Sequence, residues 1–255
     1  MYLTKDDVVK AIKQMKSFET DLASVFSDRG YNFRKNLGRR NALLSVSQER
    51  EVARVLRQKF NTVVEDGSPG NPDIYIEDID TELECKLTSG SKSKNSVSYA
   101  LQTDWDTLCK KKKLDYLYFI TDQDFDKFCV LFFQGLTPDD FFPPAPGSRG
   151  KSRMNKTKAM KKATCLVGDF LVHNEKYIND ITSLNMKEFE DHVIKMRQYW
   201  KEYAALGDNV TKKNKVLLLK QAETQRHQKV VAKLTKRLKY WKESPKRYKL
   251  ILSAV

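Results

Sequence analysis

Three side chains with chemical potential stand close together in the stretch from Pro69 to Thr88: Asp73, Glu84 and Lys86. Around them Ile74 and Ile76 alternate with polar residues, and Leu83, Cys85 and Leu87 do the same beyond an acidic middle. Such alternation predicts two strands of a hairpin, because successive side chains point to opposite faces. If the chain reverses at Asp78-Ile79, Asp73 falls opposite Glu84 and their Cβ atoms lie roughly 5 Å apart. Glu84 and Lys86 then share the polar face with Glu82. Two carboxylates held that close suit a divalent cation, which relieves their repulsion. The lysine can orient or help deprotonate a water, or stabilise charge on a phosphate.

Pro72-Asp73, a ten-residue gap and Glu84-Cys85-Lys86 resemble the PD-(D/E)xK motif shared by many type II restriction endonucleases and by junction resolvases. The resemblance covers about residues 45 to 135. It implies a catalytic set of Asp73, Glu84 and Lys86, with Asp73 and Glu84 holding Mg²⁺ and Lys86 assisting the hydrolytic water. In several families of that group a glutamate on the preceding helix adds a further metal contact. Glu49 resembles that position and Glu51 competes with it, and either residue also reads as an acid near a helix N-terminus, where the helix dipole favours it.

The net charge is +14, and its distribution is uneven. Residues 147 to 162 carry seven Lys or Arg and no acid, and residues 210 to 249 carry fourteen against Glu223 and Glu243, so the rest of the chain is net acidic. Two basic concentrations fit a polyanion-binding surface. Candidate DNA contacts are Arg149, Lys151, Arg153, Lys156 and Lys158 in the first, and Lys233, Lys236 and Lys239 in the second. Lys92 and Lys94 join them in the polar stretch after Lys86, which reads equally as a phosphate cradle or a plain linker. Cys85, Cys109, Cys129 and Cys165 form no CxxC pair, and His173, His192 and His227 keep no ligand spacing with them, which argues against a zinc site. There is no Walker-type glycine-rich loop, so ATP use is not expected. No run of 18 apolar residues occurs and the first residues lack a secretory signal's apolar core, so a cytoplasmic protein without a membrane span is expected.

The elements that must position the three residues follow from periodicity. Val8, Ile12, Met15 and Leu22 define a helix over 4 to 28, with Thr4 as N-cap and Asp7 three residues on. Tyr31 to Arg40 reads as a basic, aromatic-containing loop. A second helix is expected from a Ser47 cap to Phe60, with Val52, Val55, Leu56 and Phe60 inward, followed by a short strand at Asn61 to Val64. Asp104 to Lys112 is a short helix around Trp105 and Leu108. Leu114 to Thr121 and Phe128 to Gln134 are nearly continuously apolar, as strands buried on both faces are. The basic stretch 147 to 162 reads as a DNA-contacting loop, and Cys165 to Val172 as a returning strand. Helices are expected over 186 to 206 and from about 211 to 243, broken at Gly207-Asp208-Asn209, forming a hairpin whose apolar stripes serve as core or dimer contact.

The expected architecture is therefore α/β: a mixed β-sheet flanked by helices, restriction-endonuclease-like, over residues 1–185, with a basic helical hairpin over 186–255. The expected function is Mg²⁺-dependent, sequence-specific cleavage of double-stranded DNA, as in type II restriction. A structure-specific junction resolvase or repair nuclease is the rival enzyme, and a non-catalytic DNA-binding protein with a nuclease fold is the rival of a different class. Restriction would imply a homodimer on a palindromic site and a cognate DNA methyltransferase in the same system.

Overall fold

The computed structural model of the chain describes residues 1–255 apart from Pro69, Lys94, Asn95, Ser148 and Arg149, and apart from the side chains of residues 91–98. The chain divides into two compact units, one of Met1–Leu171 with Tyr248–Val255 and the other of Val172–Arg247.

The larger unit begins with α1 (Lys5–Asp28) and α2 (Leu37–Leu56). Thr4 and Asp7 form a reciprocal capping box at the start of α1, as their spacing predicts. The N-cap of α2 is Asn36, eleven residues before the expected Ser47 cap, and its side chain accepts the Arg39 backbone N–H at 3.1 Å. Apolar periodicity is silent there because the helix turns Arg40, Ser47 and Gln48 inward, all three buried. The end of the expected basic loop is thus helix.

Next come β1 (Val63–Glu65), β2 (Ile74–Ile76) and β3 (Thr81–Ser89), with a 3-10 turn at Glu77–Ile79 reversing the chain. The register pairs Ile74 with Leu83 and Ile76 with Thr81, as a reversal at Asp78-Ile79 requires. β4 (Ser91–Ser93) and β5 (Ser96–Ser98) form a small pair, followed by β6 (Gln102–Asp104) and α3 (Trp105–Lys111), which Asp104 caps. β7 (Leu114–Thr121) and β8 (Lys127–Leu136) are the central strands, with β7 buried along its whole length.

The main sheet runs β1-β2-β3-β7-β8-β11, where β11 is Ala163–Val167, and β14 (Ser253–Ala254) also pairs with β8. It is mixed: β3 and β7 are parallel, and the other pairs are antiparallel. Its two faces carry separate cores. Leu117, Phe119, Val130 and Phe132 pack under α1 and α2 with Ile12, Met15, Leu44 and Val52. Tyr116, Tyr118, Ile120, Leu131 and Phe133 face a second cluster with Leu108, Phe141 and Met154. Both faces being covered accounts for the nearly continuous apolar runs.

From Lys151 on, the basic stretch is not a loop. It contains β10 (Lys151–Met154), paired with β6 on one side and with β9 (Phe141–Phe142) on the other, then α4 (Lys156–Ala159) and a 3-10 turn at Met160–Lys162. Ser152 and Met154 are buried while Lys151 and Arg153 are exposed, so the charges sit at alternate strand positions and conceal the β pattern. The strand expected at Cys165 to Val172 is two, β11 and β12 (Asp169–Val172), broken at Gly168. Gly168 has φ +76° and a Cβ there would lie 2.4 Å from the Ile251 carbonyl oxygen, so only glycine fits. β13 (Tyr248–Ile251) pairs with β12, so the last residues belong to the larger unit and not to a helical tail.

The smaller unit is α5 (His173–Ala205) and α6 (Val210–Glu243). α5 begins at His173, well before residue 186, and the division between units falls at 171/172 instead of 185/186. The buried Asn174 side chain ties this start to the end of α6: its Oδ1 accepts the Arg247 N–H at 3.0 Å and its Nδ2 donates to the Pro245 carbonyl at 3.2 Å. Tyr177 stacks on Trp241, His192 on His227, and Lys220 lies over Trp200, so the two helices run antiparallel. Ile181 and Leu234 are buried, but Phe189 and Trp200, which step along the helix expected over 186 to 206 at apolar-stripe spacing, are 61% and 51% exposed. Among the described residues, no helix is long and apolar enough to cross a membrane.

Candidate active site

The site is assembled where the β2–β3 hairpin meets α2. Asp73 precedes β2, held by a turn that Asp66 braces through the Ser68 N–H at 2.9 Å and the Asn71 side chain at 2.6 Å. The Asp73 Oδ2 accepts the Cys85 backbone N–H at 2.7 Å, which fixes the carboxylate against β3 beside Glu84. The Lys86 ammonium donates to Asp73 Oδ2 at 3.2 Å and to Glu84 Oε2 at 2.6 Å. One cation thus bridges the two acids, and the cross-strand proximity expected from the spacing is met.

Glu49 approaches the same group from α2. Its carboxyl is raised from an ordinary value of 4.5 to about 7 by burial and by the Asp73 carboxylate, against the opposing pull of Lys86. Glu51 instead pairs with Arg54 at 3.5 Å along the helix. Glu49 lies well inside α2, so it is not the N-terminal acid that the shorter helix implied. Burial pushes the Glu84 carboxyl up as well, the Lys86 ammonium drawing it the other way. Although burial works against its charge, Lys86 is held protonated well above the ordinary lysine range by Glu84 and Asp73. In this arrangement the ammonium is held as a cation between the two carboxylates.

The Glu49 carboxyl gives a pH dependence of stability in the absence of divalent ions. Its folded-state pKa lies above the unfolded value, so between about pH 4.5 and 7 the folded chain holds a proton that the unfolded chain has released. Stability from this group is full below pH 4.5 and is lost as pH rises through 7. Glu49→Gln should therefore flatten the thermal midpoint across that window and melt higher than the native chain at pH 8. Superimposable melting profiles for the two proteins would rule out this environment for Glu49.

Gln48, the neighbour of Glu49, carries no sequence signal of its own. It is fully buried, and its Nε2 reaches the carbonyls of Lys86 and Leu117 at 3.4 Å each, tying α2 to the β3–β7 seam. Only an unusual polar residue amid an inward stripe could have revealed it. A cleft of about 380 Å³ opens beside Lys86, lined also by Thr88, Gln102, Asp104, Tyr118 and Lys151. It brings Lys151 to the same cleft as Lys86, with Arg153 exposed on the same face of β10.

The other candidate contacts scatter. Lys156 turns inward: its ammonium donates to the Tyr99 carbonyl at 2.9 Å, lies 3.6 Å from the Tyr99 ring centre, and burial lowers its pKa to about 8. Lys158 is exposed on α4, and Lys233, Lys236 and Lys239 are exposed on α6 of the other unit. Lys94, Arg149 and the Lys92 side chain lie outside the described residues.

Among the described residues, no three His, Cys, Asp or Glu side chains are gathered into a metal-holding group. Asp73 and Glu84 nevertheless converge on one cation, the Lys86 ammonium, and offer hard oxygen donors of the kind Mg²⁺ takes. The donor set therefore fits such an ion. No protein-family model matches the chain, and no curated protein matches it.

Proposed function

We propose that this chain is a Mg²⁺-dependent endonuclease of double-stranded DNA with a restriction-endonuclease-like core, acting at defined sequences as type II restriction enzymes do. The observation that carries the reading is the Asp73–Lys86–Glu84 cluster on the β2–β3 hairpin, with Glu49 delivered beside it by α2. Asp73 and Glu84 would hold Mg²⁺, with Glu49 on α2 as the further contact that the motif resemblance implies, and the bound ion would polarise the scissile phosphate and lower the pKa of a water. Lys86 supplies a permanent positive charge for the phosphate, and the Cys85 N–H keeps Asp73 oriented. Lys151 and Arg153 extend positive charge along the adjoining cleft, where a strand of DNA would pass.

Incubation with long DNA and Mg²⁺ tests this. Discrete, reproducible fragments are expected. Cutting confined to branched DNA would replace restriction with junction resolution, and binding without cutting in Mg²⁺ or Mn²⁺ would make the chain a DNA-binding protein. A homodimer belongs to the proposal: exposed Met186, Phe189, Ile194 and Leu218 on the helical unit suit pairing with a second copy, checked by sedimentation across concentrations. A restriction role would also place a cognate methyltransferase in the same system.

The two basic regions divide the labour. Arg153 on a rigid strand can form a bidentate pair with a guanine edge, at about 1–3 kcal/mol of discrimination, whereas lysines on α6 act as point charges towards phosphates. Arg153→Ala should weaken cognate binding selectively. Neutralising Lys233, Lys236 and Lys239 together should weaken cognate and random DNA alike and flatten the salt dependence by up to about three units of slope. Competition binding at several salt concentrations decides it, and the opposite pattern would move recognition to the helices.

A further inference from the structure

We propose that the cavity between the end of α1 and the start of α2 binds a single nucleotide unit, an aromatic base together with its phosphate. It measures about 960 Å³ and is lined by Phe26, Tyr31, Phe33, Lys35, Arg39 and Leu43, among others. That size lies within the range of small-molecule sites.

One wall is aromatic. Phe26 packs against Phe33 with ring centres 4.9 Å apart and against Tyr31 at 6.4 Å. Phe33 is buried, but Tyr31 is 68% exposed at the rim, where an open ring offers a stacking surface that every base can use. Leu43, itself part-exposed, adds an apolar patch for the edge of a base.

The remaining lining is cationic and contains no acid. Lys35 and Arg39 are exposed and have no ion pair among the described residues. Arg34 next to them differs: both its guanidinium contacts to Glu19 are 2.8 Å. Arg40 is fully buried and satisfied by neutral groups, donating to the Ser89 hydroxyl at 2.6 Å and to the Gln123 carbonyl. The carboxylates of Glu19, Asp122 and Asp124 act on its charge from beyond hydrogen-bond reach, so the open cations of the lining are Lys35 and Arg39. Two exposed cations, with no ion pair among the described residues and beside an aromatic wall, favour a ligand carrying a phosphate and a flat ring together. The first turn of α2 opens here as well and adds its partial positive charge.

Arg39 and Glu49 share α2, ten residues or about 15 Å apart along its axis. An unpaired base of a strand threaded past the candidate active site could occupy the cavity, and so could a free nucleotide. The assignment itself needs only the cavity, and its test is read without divalent metal. Failure of nucleotide binding would leave the cleavage reading standing, and failure of cleavage would leave this one standing.

The probes are dAMP, a single-stranded pentanucleotide of dA bearing one central 2-aminopurine, and inorganic phosphate. Binding by the native chain should quench the 2-aminopurine. Tyr31→Phe should keep affinity and quenching, Tyr31→Ala should weaken binding about tenfold to a hundredfold, and Arg39→Ala should weaken dAMP and pentanucleotide alike. Both positions changed carry exposed side chains, and thermal melting confirms that the variants fold. Binding of dAMP as tight as the pentanucleotide assigns a free nucleotide, and a preference of tenfold or more for the pentanucleotide assigns a strand. The proposal is overturned if Tyr31→Ala binds as Tyr31→Phe does, if phosphate competes as well as dAMP, or if the native chain binds neither dAMP nor pentanucleotide at millimolar concentration.

Discussion

Asp73→Asn and Glu84→Gln should each remove most of the Mg²⁺-dependent cleavage rate while leaving DNA binding in Ca²⁺ largely intact. The asparagine keeps an oxygen for the Cys85 N–H that now bonds Asp73 at 2.7 Å, so the hairpin retains its brace and only the charge is lost. The same holds for glutamine at Glu84, whose partner is the Lys86 ammonium at 2.6 Å. A metal's charge stabilisation amounts to several kcal/mol, and every 1.4 kcal/mol or so is a factor of ten in rate. The expected loss is therefore about 10²–10⁴-fold for either change, measured by single-turnover cleavage with melting curves as the control for folding. Native rates in either variant would remove these residues from the chemistry.

Lys86→Met should lose most of the rate while sparing metal binding. Lys86 is held as a cation by two carboxylates, so its contribution is positive charge aimed at the phosphate, and removing one such group typically costs about 10²–10³ in rate. The same change has a second, separate consequence. Without divalent ions, Asp73 and Glu84 would face each other with no cation between them, and the protein should melt lower than native. Mg²⁺ should then raise its melting temperature more than it raises that of the native chain, because the ion takes over the neutralisation that the ammonium supplies. Collapse of metal binding with normal single-turnover chemistry at saturating metal would reverse the roles.

The local features of this chain were legible because they rest on short-range rules. Thr4 and Asp7 announce the start of α1, since a capping box needs only side chains three residues apart. Ile74, Ile76, Leu83 and Cys85 announce the hairpin and its register, since alternation with a short reversal leaves one pairing that buries all four. That register alone brings Asp73 beside Glu84, and the apolar run of Leu114 to Thr121 declares a strand covered on both faces. Tertiary structure decided the rest, because partners distant in sequence set it. Arg40 and Gln48 are inward on α2 only because carbonyls of Gln123, Lys86 and Leu117 await them, and no periodicity of apolar residues can report a helix whose buried face is polar. Lys151 and Arg153 lie on a strand because β6 and β9 flank it, and Lys156 faces Tyr99 because folding buries its stem there. The return of Tyr248 to Ala254 to pair with β12 and β8 depends on strands formed more than seventy residues earlier. Glu49 in place of Glu51 followed from the same cause: which side of α2 faces Asp73 is set by how the helix packs on the sheet, and two acids two residues apart cannot share a face.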